Sequence, residues 1–404
     1  MIESEHINPD VLKWARETAG LTVAEAAEKL GLKDTAKQSA IEKLLALEDG
    51  TRDPAPTTLQ KAASLYRRPL VAFYLSAPPR RGDRGDDFRS SKSASARANG
   101  TLDALLRDSR ARQQMVRQVL EDTEEAQRRI FVGSARITDG HAKMAASIRA
   151  TLSITEYQQR HSQDAGALFG MLRGAAERAG IYVLMRGDLG SYHTDIGEDV
   201  FRGFALADDV VPFVVINDND AAAARPFTLL HELAHIWLGA SGVSGPLRGV
   251  PKNSIERFCN DTASEFLLPS SQVGNYSWLF TAPQNDVTSA IQSLAAMWKV
   301  SEPAVAYRFA KEGWISDAVA SSLFAMYRDR WQREKQRAKD QRQPNATGPS
   351  FYVLRTFQLG AGLLGVVRRA LQEEALTHTK AAKILGVGPA SISALLDEGQ
   401  RAAR

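Results

Sequence analysis

The sequence has one cysteine, Cys259, among its 404 residues. A single cysteine excludes an internal disulfide and suits a reducing compartment, so we predict a cytoplasmic protein in which Cys259 is a small core residue. The sequence also lacks an apolar run near the roughly 18 residues that a membrane helix needs, and it shows no signal-peptide pattern. We therefore expect a protein that is neither exported nor inserted in a membrane.

Neither sign of charge is in large excess, because 51 basic and 47 acidic residues leave a net charge of +4. Hydrophobic residues make up 44% of the chain and charged residues 24%, which is typical of a soluble globular protein with enough apolar residues for a core. The length predicts roughly two to four domains.

Histidine is also scarce, with seven in the chain, yet two of them stand four residues apart in Thr228-Leu-Leu-His-Glu-Leu-Ala-His-Ile-Trp-Leu-Gly239. The helical period places His231 and His235 about 40° apart, so both imidazoles can reach one metal ion. Glu232 lies on the adjacent face, where its carboxylate can take a proton from a metal-bound water. We predict a zinc site with Glu232 as the catalytic group; the alternative is an ordinary core helix.

A catalytic zinc site needs a third protein ligand and an open position for water. A second helical pattern spans Ile255–Pro269, and Glu256, 21 residues beyond His235, flanks the start of its apolar stripe. Asn260, one turn further on, can hydrogen-bond a ligand from behind. Glu265 is a competing ligand but falls nearer the outer face of this helix. We therefore predict that Glu256 completes the ligand set.

Several of these motifs together resemble the ImmA/IrrE family of bacterial metallopeptidases, over roughly residues 140–315. They are Val214-Val-Ile-Asn217, Arg225-Pro-Phe-Thr-Leu-Leu-His-Glu-Leu-Ala-His235, Glu256-x-x-x-Asn260 and Leu267-Leu-Pro269. The resemblance implies a zincin-like peptidase in which His231, His235 and Glu256 bind zinc and Glu232 is the acid/base. It also implies a DNA-binding repressor as substrate; an antitoxin is a related expectation. Cys259 departs from the family, where many relatives carry alanine.

The first 79 residues carry helix signals of their own. Asn8-Pro9 opens a helix that stops at Gly20, and Thr22 with Glu25 forms a capping box for a second helix. Residues 8–79 resemble a Cro/repressor-type helix-turn-helix module. Its recognition helix would fall within Ala36–Leu47.

That helix would offer Lys37, Gln38, Ser39 and Lys43 to double-stranded DNA. The unit has no dense basic face, however. Pairing with a partner repressor therefore stays open as the alternative role.

The fold class that we predict is multidomain and mainly α: a helix-turn-helix bundle, an α+β zincin-like core and a helical C-terminal region. Its domains are the helix-turn-helix domain at 8–79, a linker and long helix at 80–139, the peptidase with a closing helix-turn-helix-like part at 140–315, a basic helix and linker at 316–350, and a C-terminal helical domain at 351–404. The long helix pattern, Thr101–Ile130, has a narrow apolar stripe typical of a connecting helix or of a dimerising helix, and the second would form a homodimer; a solvated strut is the alternative to both.

Within the peptidase region the pattern predicts strands at Ile181–Met185, Val200–Leu206 and Val211–Ile216. Phe213–Asn217 is interpreted either as a core strand or as an edge strand that pairs with substrate. Gly239–Asn253 is predicted to be a loop at the lip of the cleft. Four residues of a suitable type could stabilise an oxyanion, with none favoured: Tyr192, His193, Tyr276 and Arg225.

The sequence thus predicts a zinc-dependent endopeptidase that acts on a protein partner. The alternative is a DNA-binding regulator or antitoxin in which the zinc fold is a scaffold or a sensor without proteolysis. The Glu232 carboxylate favours the first, because a scaffold has no need of it.

Overall fold

The computed structural model describes residues 6–79, 86–87, 95–190, 194–245, 251, 253–341 and 348–402. The N-terminal unit has four helices and a final 3-10 turn: α1 (Pro9–Thr18), α2 (Val23–Leu30), α3 (Ala40–Glu48), α4 (Pro56–Tyr66) and the turn Leu70–Tyr74. The predicted capping box of α2 is confirmed, since Thr22 and Glu25 exchange both bonds. A buried ion pair between Arg16 and Glu48, at 2.7 Å, ties α1 to α3.

The rest of the described chain is built from helices around one small sheet. The helices are α5 (Ala96–Asp122), α6 (His141–Leu152), α7 (Glu156–Arg160), α8 (Ala165–Arg178), α9 (Arg225–Leu238), α10 (Ser254–Leu267), α11 (Ser270–Val273), α12 (Gln284–Trp298), α13 (Glu302–Lys311), α14 (Asp317–Asp340), α15 (Phe351–Leu359), α16 (Ala361–Gln372), α17 (His378–Leu385) and α18 (Ile392–Ala402). None of the helices in the described ranges is both long and apolar enough to cross a membrane.

The sheet is mixed and has five strands in the order β1-β5-β3-β4-β2. They are β1 (Asp86–Asp87), β2 (Tyr182–Met185), β3 (Gly203–Leu206), β4 (Phe213–Ile216) and β5 (Gly242–Ser244). Strand β4 runs parallel to β2 and antiparallel to β3, while β5 runs antiparallel to β3 and parallel to β1.

Two of the sequence-based interpretations of these strands need correction. Strand β4 lies between β3 and β2 and is fully buried, so Phe213–Asn217 is a core strand and its interpretation as an edge strand is wrong. Residues 242–244 form β5, although the pattern predicted a loop across Gly239–Asn253; residues 246–250 and 252 of that loop lie outside the described part. Predicted strands β2, β3 and β4 are confirmed with shorter bounds.

Alternate strand residues serve two different cores, which is why these strands read as continuous apolar runs. Val183, Ala205 and Val214 face the core built from α6, α8, α9, α10, α12 and α13. Leu184, Phe204 and Val215 face a second core, to which α5 and α15–α18 contribute. The domain boundaries stay predictions, but residues from 102–120 and 359–396 share this second core with the sheet.

The long helix was misjudged from its sequence. Helix α5 ends at Asp122 rather than near Ile130, and Leu102, Leu105 and Val116 on its apolar stripe are buried in the second core. It is therefore neither a solvated strut nor an exposed dimer stripe. A narrow stripe looks incomplete in sequence because its partners, the sheet and the C-terminal helices, lie far away in the chain. A homodimer stays a prediction that α5 does not support.

A buried cluster of polar groups joins α8 to the C-terminal helices. The Arg173 guanidinium donates to the carbonyls of Phe357 and Val183 and to the Glu177 carboxylate. Glu177 in turn accepts from the backbone N–H groups of Ala361 and Gly362. The first turn of α16 is therefore fixed against the core that carries the site described below.

We expect Arg173→Ala to lower the free energy of unfolding by about 3–5 kcal/mol, because it leaves the Glu177 carboxylate buried without its cation. Urea denaturation followed by circular dichroism measures this loss. The control is Arg178→Ala, on the exposed side of the same helix, which should change the stability by less than about 0.5 kcal/mol. Equal effects of the two variants would contradict the role given to Arg173.

Candidate metal centre

Helices α9 and α10 carry the predicted ligands, and local sequence fixes the ends of both. Pro226 occupies the first turn of α9, and Gly239 ends the helix in the left-handed conformation at φ 68°. The Asn253 side chain accepts hydrogen bonds from the N–H groups of Ile255 and Glu256, which starts α10. Glu256 therefore stands in the first turn of α10, beside α9.

Three predicted ligand atoms meet between the two helices. His235 Nε2 lies 3.1 Å from His231 Nε2 and 3.0 Å from Glu256 Oε1, and His231 Nε2 lies 3.4 Å from the same oxygen. Tetrahedral zinc with bonds of about 2.0–2.1 Å separates its ligand atoms by about 3.3 Å. The three side chains are buried, and the triangle has the size that one small cation requires. The residues present therefore fit zinc.

Asn260 prepares one of the histidines for a metal. Its Oδ1 lies 2.7 Å from Nδ1 of His231. An amide oxygen only accepts, so Nδ1 carries a proton and Nε2, the atom left to bind a metal, faces the triangle. The structure thus places Asn260 next to His231, and its role behind a metal ligand stays a prediction.

Even without a cation, the positively charged histidines and the negatively charged Glu256 stabilise each other's charged forms. Burial alone would lower the pKa of His231, but the neighbouring Glu256 carboxylate outweighs burial and raises it. Burial alone would raise the pKa of Glu256, but His231 and His235 outweigh that effect and lower it. The carboxylate is therefore held ionised, as a metal ligand must be.

Glu232 lies beside the triangle and not in it. Its side chain is fully buried, and neither carboxylate oxygen has a hydrogen bond of good geometry. Burial raises its pKa to about 8; His231 lowers that value and Glu256 raises it. A buried carboxylate without a partner is costly to keep, which indicates a functional group rather than a structural one.

Gly203, at the start of β3, makes the space for Glu232. A Cβ at this position would lie 2.7 Å from Glu232 Oε1, so any larger residue would displace the carboxylate. Opposite Gly203 in the sheet is Ser244 of β5, whose Oγ lies 3.0 Å from His231 Nε2. The sequence analysis missed both. A glycine within a predicted strand was a usable signal for Gly203, but nothing in its loop-like surroundings marked Ser244.

The other candidates lie elsewhere. Glu265 pairs with Arg308 at 2.7 Å, so it does not compete as a ligand. Arg225 donates to the carbonyls of Asp218 and Asp220, and Tyr276 stacks on an aromatic ring of α13. Two oxyanion candidates, Tyr192 and His193, lie outside the described residues.

Cys259 is packed in the core between the helices. Burial, with Glu256 and Glu232 nearby, raises the pKa of its thiol well above the usual value. It is therefore a core thiol, as the sequence predicted, and not a thiolate ligand.

The candidate DNA-contacting residues are only partly available. Lys37 and Gln38 are exposed in the segment before α3. Ser39, however, caps α3 through Glu42, and Lys43 donates to the Lys33 carbonyl. The recognition helix predicted within residues 36–47 begins only at Ala40.

We expect the purified chain to bind about one equivalent of zinc and the His235→Ala variant to bind almost none. The two protein ligands that remain in the variant are too few to hold the metal. Elemental analysis after dialysis against zinc measures both. His161→Ala, which removes an exposed histidine outside the triangle, is the control and should keep its zinc. Zinc retained in His235→Ala would contradict the ligand set.

Zinc affinity should rise with pH, since zinc and a proton compete for Nε2 of His231. The raised pKa keeps this ring protonated above the ordinary value of 6.5. The affinity should therefore increase by up to about tenfold per pH unit above that value and level off once the proton is lost. Competition with a chromophoric chelator across this range measures the slope; an affinity independent of pH would contradict the protonated resting state.

One comparison with known proteins bears on this geometry. Searches of curated proteins and of solved structures gave no match. Residues 176–310 match the family model Peptidase_M78, described as an IrrE N-terminal-like domain. The match covers less than half of the chain and contains α9, α10 and the whole triangle, so for this region it supports the ImmA/IrrE resemblance and a peptidase of that kind.

Proposed function

We propose that this chain is a zinc-dependent endopeptidase whose substrate is a protein partner, a transcriptional repressor or an antitoxin. The observation that carries the proposal is the buried Glu232 carboxylate, which has no well-formed hydrogen bond and lies next to the triangle of His231, His235 and Glu256. A purely structural metal site is normally closed by a fourth protein ligand and needs no such carboxylate. The family match over residues 176–310 supports the same reaction class.

His231, His235 and Glu256 would hold the zinc, which would supply a Lewis acid to polarise the scissile carbonyl and to lower the pKa of a bound water toward ~7. The chain's own residues do the rest. Glu232 takes the proton of the attacking water and later passes it to the departing amine. Its pKa of about 8 suits an exchange of protons near neutral pH. Asn260 keeps His231 in the tautomer that presents Nε2.

A protein partner is favoured over DNA as the main target of the N-terminal unit. Residues 8–79 contain ten basic and nine acidic side chains, so the unit carries almost no net charge. On α3, Ile41 and Leu45 are 44% and 45% exposed on one face, and Glu42 is exposed beside them. Apolar and acidic groups suit a protein surface better than phosphates. Lys37 and Gln38 remain the groups that a DNA contact would use.

The second candidate is a regulator or antitoxin that uses the metal fold without proteolysis. The exposed face of α3 favours it to the same degree, because a partner-binding surface serves either role. The two functions differ in their need for Glu232. A scaffold or sensor would work equally well with an uncharged amide at that position.

We expect Glu232→Gln to keep its zinc and its fold while it lowers peptide-bond cleavage by at least about a thousandfold, since no other placed group takes the proton. Mass spectrometry of a proteome-derived peptide library and of full-length repressor proteins, incubated with zinc-loaded chain, measures cleavage. Glu334→Gln, an exposed exchange of the same chemistry on α14, is the control. If the zinc-loaded wild type cleaves neither probe, the peptidase proposal is wrong and the regulator or antitoxin without proteolysis becomes the better interpretation.

A further inference from the structure

Strand β5 presents one polar side chain to the metal centre. Val243 points into the second core, on the far face of the sheet, and is 1% exposed. Since successive residues of a strand point to opposite faces, Ser244 points toward α9. Its hydroxyl is buried and lies 3.0 Å from His231 Nε2, the atom that faces the triangle.

This contact cannot persist once a cation takes the lone pair of Nε2. Nδ1 of the same ring already donates to Asn260, so Nε2 is the atom that takes either a proton or a cation. A cation at Nε2 displaces the proton and occupies the lone pair, so this atom can then neither donate to the Ser244 hydroxyl nor accept from it. The hydroxyl then needs another partner nearby, because a buried hydroxyl without a partner is costly.

The neighbouring acceptor is the Glu232 carboxylate. Ser244 is the direct partner of Gly203 in the β3–β5 pair, and Glu232 lies over Gly203. The Ser244 hydroxyl also lies near enough to Glu232 to lower the pKa of its carboxylate. A hydroxyl has one proton to give and two lone pairs. It can therefore donate to Glu232 and at the same time accept from the attacking water.

We propose that Ser244 is a positioning residue. Its hydroxyl turns from His231 to Glu232 when the site holds a metal, and so fixes the position of the carboxylate relative to the attacking water. The inference rests on the proposed peptidase function but concerns a residue outside its ligand set. Gly203 is also required for this arrangement, because its lack of a side chain leaves room for the carboxylate that Ser244 orients. The pair forms the floor of the site from two adjacent strands.

The test compares Ser244→Ala with Ser244→Thr, which keeps the hydroxyl, and with Ser241→Ala as the matched control. Ser241 lies just before β5, and its hydroxyl bonds only a backbone N–H, that of Ala207, in the described residues. In Ser244→Ala we expect an unchanged zinc content, a kcat lower by about 10- to 100-fold and a KM within about twofold. Threonine should restore most of kcat, and Ser241→Ala should leave it unchanged.

A second readout does not depend on turnover. The chain loaded with Co²⁺ alone should show a visible absorption spectrum that Ser244→Ala alters and Ser244→Thr retains, because the hydroxyl lies 3.0 Å from His231 Nε2, the atom that would bind the metal. A spectrum and a kcat that are both unchanged in Ser244→Ala would overturn the proposal. So would loss of zinc in this variant, which would make Ser244 a ligand instead. If wild type cleaves nothing, the peptidase function fails, while the cobalt spectrum still decides on Ser244.

Discussion

The approach of α10 to α9 is the constraint on which the rest of the site depends. It brings two imidazoles and a carboxylate within 3.4 Å of one another in a buried place. Burying these groups costs free energy unless they share a proton or a cation. The surrounding packing therefore has to hold the helices against that cost, and large apolar side chains such as Trp237 and Phe266 lie fully buried around them. A metal turns the same proximity from a cost into a binding energy.

Much of this site could be predicted from sequence because its determinants are local. The spacing of His231 and His235 fixes their common face, and Asn253 and Gly239 start and end their helices by ordinary capping. Glu256 and Asn260 follow from a second helical period. What could not be predicted depends on pairing between distant segments. Ser244 belongs to the site only because β5 pairs with β3. A strand of three residues within a glycine- and serine-containing stretch has no recognisable strand pattern in its sequence.

The prediction for the long helix α5 failed for a related reason. Its stripe was read correctly as apolar, but the choice among strut, connector and dimer contact assumed that the stripe had no partner within the chain. The partner is the outer face of the sheet together with α15–α18, which come much later in the sequence than α5. Periodicity shows that a face is buried and says nothing about what covers it. For the same reason, the sequence of α3 does not show what would cover its exposed Ile41 and Leu45.

The sheet links these two halves to the chemistry. In β3, Gly203 borders Glu232 on one side, and its neighbour Phe204 is fully buried in the second core on the other. In β5, Ser244 faces His231 while Val243 faces that same second core. The floor of the metal centre is thus set by packing against helices that lie outside residues 176–310, the part that matches the family model. Because protein cores are densely packed, a shift of α5 or α16 would move the backbone that carries Gly203 and Ser244. The C-terminal region therefore acts as part of the structural support of the site, and changes far from the triangle can alter how Glu232 is aimed without touching a ligand.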